Sequence, residues 1–295
     1  MIAEQRRKRY QIILGAVAAM SYVSCVQATT YIWSGSVSGN NWNTAANWTT
    51  DMGANVVPPQ SPTPPDVTDL LFTGSLTVNQ TSTQNIGTID VNSIVINGQP
   101  TGAATFTISA SSTGDQFINL GAGGLTDQTP GSAGNGGTVS LTGGTNRKIV
   151  LTADQTWRND NTFGILSQRR TMEGAFKITK VGAGTIELQA DNANWTGGLQ
   201  IDEGVIRTSN FSDALGTGPI TVNTTNSVAI SASGSAQTDQ IVAGPVSLAG
   251  TGNFSLQGSW NFQFNGNVTL LSDKNISVGN IGTFNGGVVG SFGLT

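Results

Sequence analysis

No histidine occurs anywhere in this 295-residue chain. That excludes Ser-His-Asp and Cys-His catalysis, and with them every histidine-ligated zinc site. A single cysteine, Cys25, leaves no disulfide to brace the fold. Charge is scarce: Lys, Arg, Asp and Glu make up 10% of the residues, against roughly 25% in an average soluble protein. The pI of about 4.7 argues against a nucleic-acid partner, which would call for a basic stripe. No Gly-Lys-Ser/Thr phosphate loop is present. Beyond the first thirty residues, no segment carries a long apolar face at helical spacing. No cofactor or metal is expected.

What is present begins with an export signature. Arg6-Arg7-Lys8-Arg9 forms a basic cluster, Ile12–Val26 an apolar run too short for a comfortable membrane span, and Val26-Gln27-Ala28 a small-residue cleavage site. Residues 1–28 therefore read as a secretory signal peptide, with the mature chain starting near Thr29. The competing readings are a buried N-terminal helix and a lipoprotein, and Tyr22 stands where the latter needs a Leu-like residue. Cleavage removes Cys25 and leaves nine basic and sixteen acidic groups, a formal −7.

The remaining texture is strand after short strand. Thr185–Gln189 and Leu199–Asp202 alternate polar and apolar residues at period 2, and Val205-Ile206-Arg207 and Ile220-Thr221-Val222 follow beyond glycine turns. Gly-Thr-hydrophobic opens strands at Gly87, Gly137, Gly184 and Gly282, and Gly-Pro-hydrophobic at Gly218 and Gly244. Recurrent strand starts without intervening helices fit stacked coils. The expected fold is all-β, a right-handed parallel β-helix (β-solenoid), with an antiparallel β-sandwich as the alternative, since the same alternation serves both. The expected organisation is a Trp-rich N-terminal cap segment over residues 29–56, a Pro-rich linker over 57–66 and the solenoid over 67–295, incomplete at its C-terminal end. Within it, the glycine-rich stretch Gly121–Gly137 reads as a loop or wide turn.

The central stretch, residues 178–223, resembles a known family. Lys180-x-Gly182-x-Gly184-Thr185 with Leu188, then Asn194-Trp195-Thr196-Gly197-Gly198, then Ile201 and Gly204, then Ala214-Leu215-Gly216 and Gly218 follow the pattern of the autotransporter-associated β-strand repeat (the passenger-associated transport repeat). The resemblance covers about 45 residues. It implies a secreted or bacterial outer-membrane-surface solenoid, passenger-like, that aids its own passage across the outer membrane and acts in adhesion or presentation. The partners it implies are surface glycans, host or neighbour-cell proteins and an outer-membrane translocator. It implies no catalytic activity. The sequence shows no translocator barrel and no C-terminal anchor with a basic tail, which leaves the full autotransporter reading open.

The opening Tyr31–Trp48 carries Trp33, Trp42 and Trp48 among Gly, Ser and Asn, and is also similar to the mature start of secreted proteins with this repeat. Two readings stand: the indoles cover the open end of the coil stack, or they stack on sugar rings as glycan contacts. The prolines Pro58, Pro59, Pro62, Pro64 and Pro65 make the segment that follows an extended spacer. Paired carboxylates are the remaining route to chemistry, as in a polysaccharide-cleaving β-helix. Asp202 and Glu203 are adjacent and should point to opposite faces of a strand. Asp66 and Asp69, and Asp154 and Asp160, lack calcium-loop spacing. Lys177, Lys180, Arg169 and Arg170 read as solvated faces or corner salt bridges. The expectation is a non-catalytic scaffold, with a polysaccharide-binding or -cleaving protein as the alternative.

Overall fold

A computed structural model describes residues 28–35, 39–61, 67–76, 79–100, 104–129, 131, 137–144, 146–233 and 239–294. The signal peptide expected over 1–28 lies outside them except for Ala28, as do Pro62, Pro64, Pro65 and Asp66.

The chain is a parallel β-solenoid. Among the described residues its strands form one sheet of 14 strands, a second of nine and a third of three. Each coil contributes a strand to the first sheet, turns, contributes one to the second, and returns. Ile178, Leu199, Ile220, Val246, Val268 and Val288 thus follow one another up one column of the first sheet. Ile186, Ile206, Ile230, Leu256 and Val278 do the same on the second. Parallel pairing throughout these columns excludes the sandwich, whose strands would pair antiparallel.

The period-2 alternation explains the packing. In Ile178–Val181 and Val246–Ala249 every second side chain is buried, and inward residues of successive coils lie on one another. Burying each Val, Leu, Ile or Phe contributes roughly 1.5–3 kcal/mol. The third sheet, Gln240–Val242, Phe262–Phe264 and Gly282–Phe284, closes the last coils, with Phe264 and Phe284 stacked at 4.9 Å.

Among the described strands, the first coil has the one antiparallel pair. Strand Ala28–Trp33 runs parallel to Val67–Leu76, and Trp48–Thr50 folds back antiparallel on it. Two sequence expectations change here. Part of the proline segment docks instead of spacing: Pro58 is buried, and Asp90 N–H donates to the Gln60 carbonyl at 2.9 Å. The stretch read as a loop from Gly121 is strand as far as Asp127, within Gln116–Asp127. It passes a register shift between Val91 and Ser93 of the adjacent strand, and small residues there let the two backbones come close.

Candidate functional site

Four places among the described residues bear on the candidate site. The first is the N-terminal cap. Trp33, Trp42 and Trp48 are at most 2% exposed. Trp48 meets Trp33 edge-on at 5.0 Å and Trp42 at 5.5 Å, and both Trp42 and Trp48 lie against Phe72. The Trp42 indole N–H donates to Ser82 Oγ at 2.6 Å, and that of Trp48 to the Trp42 carbonyl at 3.0 Å. The glycan-contact reading of these three residues is therefore corrected: a sugar needs a free ring face, and these faces are covered by one another and by the first coil.

The second place is the corner built by the repeat motif. Lys180 is fully buried, and its ammonium donates to the carbonyls of Val181 (3.0 Å), Gly182 (2.5 Å) and Glu203 (2.9 Å). Burial pulls its pKa down to about 8 against the pull of Glu203, and three carbonyl acceptors favour the charged form. Glu203 closes the ring by accepting from Gly182 N–H at 3.1 Å. Gly204 sits against this ammonium at φ +75°, where a Cβ would lie 2.8 Å from Lys180 Nζ. Trp195 is fully buried and donates to the Phe176 carbonyl at 3.0 Å, and Gly216, at φ +72°, packs on its ring. Gly182 and Gly184 rest on the backbone of Asn159 and Asn161, Gly197 on Phe176 and Gly198 on Pro219. Asn194 is exposed. The working amide is Asn192, two residues earlier: buried, it accepts from Met172 N–H at 2.9 Å and donates to the Ala214 carbonyl at 2.7 Å. The motif residues thus join coil to coil and form no ligand cradle.

Two of the basic residues read as solvated faces or corner salt bridges are internal and bond corner carbonyls. Lys180 is one and Arg170 the other. Arg170 donates to Gln84 Oε1 at 2.6 Å and to the carbonyls of Thr142 (3.1 Å) and Ser109 (3.3 Å), spanning several coils. Burial, with repulsion from Arg147, lowers its pKa to about 9. Both lie where corner carbonyls converge, which a solvated face would not require.

The third place is the outer column of the second sheet, Ser140, Ser167, Glu187, Arg207 and Ser231. Glu187 accepts from Arg207 Nε at 2.7 Å, from Ser167 at 3.2 Å, from Ser209 at 3.3 Å and from Gln189. Acid and base do converge here. The carboxylate is already surrounded by donors, and no second carboxylate stands beside it among its bonded partners. The fourth place is a cleft of about 210 Å³ beside the register shift, lined by Asp90, Asn92, Asn119 and Thr152. Asn119 donates to Asp90 at 2.6 Å, and Asn92 and Ser93 donate to Asp69 at 2.9 and 2.6 Å.

Of the described carboxylates picked out in sequence, Asp160 and Glu203 come together at Gly182, where both act on the charges of Lys180 and Arg158, and the others are held separately. Asp202 accepts from Gln200 at 2.9 Å, Asp154 from the Lys177 backbone N–H at 2.8 Å, and Asp160 pairs with Arg158 at 2.6 Å. No group of three or more His, Cys, Asp or Glu side chains able to hold a metal occurs among the described residues. Comparisons with protein families, with curated proteins and with solved structures find no match.

Proposed function

We propose that this chain is an exported, non-catalytic β-solenoid scaffold of the passenger type. It stands outside the cell or on its outer surface and presents long Thr-, Ser- and Asn-bearing faces to surface glycans or neighbouring-cell proteins. The observation that carries the reading is where its polar groups are used. Lys180, Arg170, Asn192, Glu187 and Glu203 all bond other parts of the coil stack, as structural ties do. The basic–apolar–small start of the chain and its low charge density support export.

Coil-by-coil stacking supplies a physical route for passage through an outer-membrane translocator. Each coil bonds the one before it, so every coil formed outside opposes backsliding. Expression of the full chain in a Gram-negative host with a matching export route tests this. Exported protein should begin at Thr29, and Ile186→Pro with Ile201→Pro, both in buried strand positions, should cut its yield severalfold. Retention inside the cell, or an unchanged yield of the proline variant, contradicts the proposal.

A further inference from the structure

The polar side chains at the corners bond other coils, but those beside the register shift line an open cleft of about 210 Å³. Asp90 and Asn92 come from the strand Ile89–Pro100, Asn119 from Gln116–Asp127, and Thr152 follows Arg147–Leu151. The first three are half-buried and Thr152 is exposed. Each is held from within the protein. Asn119 donates to Asp90 Oδ1 at 2.6 Å, and the Thr152 hydroxyl donates to the Leu120 carbonyl at 3.0 Å. Asn92 donates to Asp69 Oδ1 at 2.9 Å and accepts from the Gly123 N–H at 3.1 Å. Gly121 makes one wall, so close that a Cβ there would lie 3.1 Å from Asn92 Cα. Among the described residues these bonds leave the second Asp90 oxygen, the Asn119 carbonyl oxygen and the Thr152 lone pairs as acceptors for a ligand. No basic side chain lines the cleft, and neither Asp90 nor Asp69 has an ion-pair partner among the described residues.

We infer that this cleft binds a single neutral pyranose ring of a glycan through its hydroxyls. The inference rests on the scaffold reading above and gives its glycan partner a place. Asp90 and Asn119 are register partners on neighbouring strands, and the bond between them sets their acceptor oxygens side by side. Two adjacent hydroxyls of a sugar are the donors that such a pair fits. Val67, also in the lining, offers an apolar patch to the C–H face of a ring. The volume lies below the roughly 300–1,000 Å³ of pockets for drug-sized ligands, so it admits one ring and not a chain of them. Carboxylates without a basic partner repel uronic and sialic acids and leave neutral sugars. A divalent cation fits less well: Asp90 is the one carboxylate in the lining, and calcium gathers six to eight oxygens. Side chains already bonded in place lose little freedom when a ligand arrives.

Saturation-transfer NMR on the full chain in EDTA tests the inference, with the methyl glycosides of glucose, galactose, mannose and glucuronic acid as probes. The expected result is binding of at least one neutral glycoside with a Kd of about 1–10 mM, as about 13 non-hydrogen atoms give at ordinary ligand efficiency. The glucuronide should not bind. Asp90→Ala should weaken binding about tenfold or more, and Thr152→Trp, which fills the rim from an exposed position, should block it. Asp202→Ala, on another coil, should leave it as it is. Thermal melts check that each variant is folded. No neutral glycoside bound, the glucuronide bound equally well, or binding that appears only when calcium replaces EDTA overturns the inference. Binding that survives both cleft variants overturns it too, and leaves the scaffold reading standing. Retention of the chain inside the cell, with Asp90-dependent glycoside binding intact, contradicts the scaffold reading and not the cleft.

Discussion

Single buried polar residues decide much of this fold. Several strands that apolar alternation does not reveal hold polar side chains in core positions: Ser82, Gln84 and Gln155 are all buried. Each finds a partner in a neighbouring coil or corner, Ser82 the Trp42 indole, Gln84 the Arg170 guanidinium and Gln155 the Leu120 carbonyl. The Gln168 side-chain oxygen departs from this pattern, and so does Asp127. Its Oδ1 accepts from the Thr129 N–H at 2.9 Å and hydroxyl at 2.6 Å, but its buried Oδ2 has no partner. Burial, aided by repulsion from Asp160 and opposed by the Thr129 bonds, lifts its pKa from 3.8 to about 6. The folded state therefore prefers the protonated acid. This stabilisation is complete below about pH 3.8 and is lost as pH rises through 6, a change of about 3 kcal/mol at most. Asp127→Asn keeps the oxygen facing Thr129 and removes the charge. It should raise the melting temperature at pH 7 and flatten the fall in stability between pH 4 and 6.5. A variant with the wild-type pH profile would show that Asp127 does not carry this dependence.

At the level of elements, the cap is the most concentrated investment of aromatic surface. Trp48 packs on two indoles and on Phe72, so Trp48→Ala should cost about 3–5 kcal/mol in urea unfolding. Trp48→Phe should cost much less. A loss below about 1 kcal/mol for the alanine variant would mean that the first coil does not depend on its cover. Capping was legible in sequence because three tryptophans within sixteen residues exceed what an ordinary strand can bury. Strand starts were legible too: strands begin at Ile89, Thr138, Thr185, Ile220 and Val246, each beside a Gly-Thr or Gly-Pro signal. Strands such as Gln80–Gln84 and Gln155–Asn159 were not, because their inward residues are amides and a hydroxyl, with Trp157 the one apolar member, and leave no apolar period. Corner residues were half legible. The motif glycines mark tight approaches, but the choice between Asn192 and Asn194 depends on which amide turns inward, and spacing alone does not settle that. The internal placement of Lys180 and Arg170 was hidden for a related reason: the Arg170 carbonyl partners and the Glu203 carbonyl on Lys180 come from other coils, and carbonyls leave no mark of residue type in the sequence.

For the whole molecule, the account rests on one geometric claim, that distant segments lie in register as successive rungs of one stack. Thr179, Gln200, Thr221, Ser247 and Thr269 form one outward column of the first sheet. Four steps of about 4.8 Å place Thr179 and Thr269 about 19 Å apart. Spin labels at Thr179→Cys and Thr269→Cys, in a Cys25→Ser background, allow that distance to be read by pulsed electron resonance. The stack predicts a narrow distribution centred near about 20 Å, broadened only by the label arms. A broad distribution, or one centred far beyond that, would contradict the coil register on which the fold and the scaffold proposal depend.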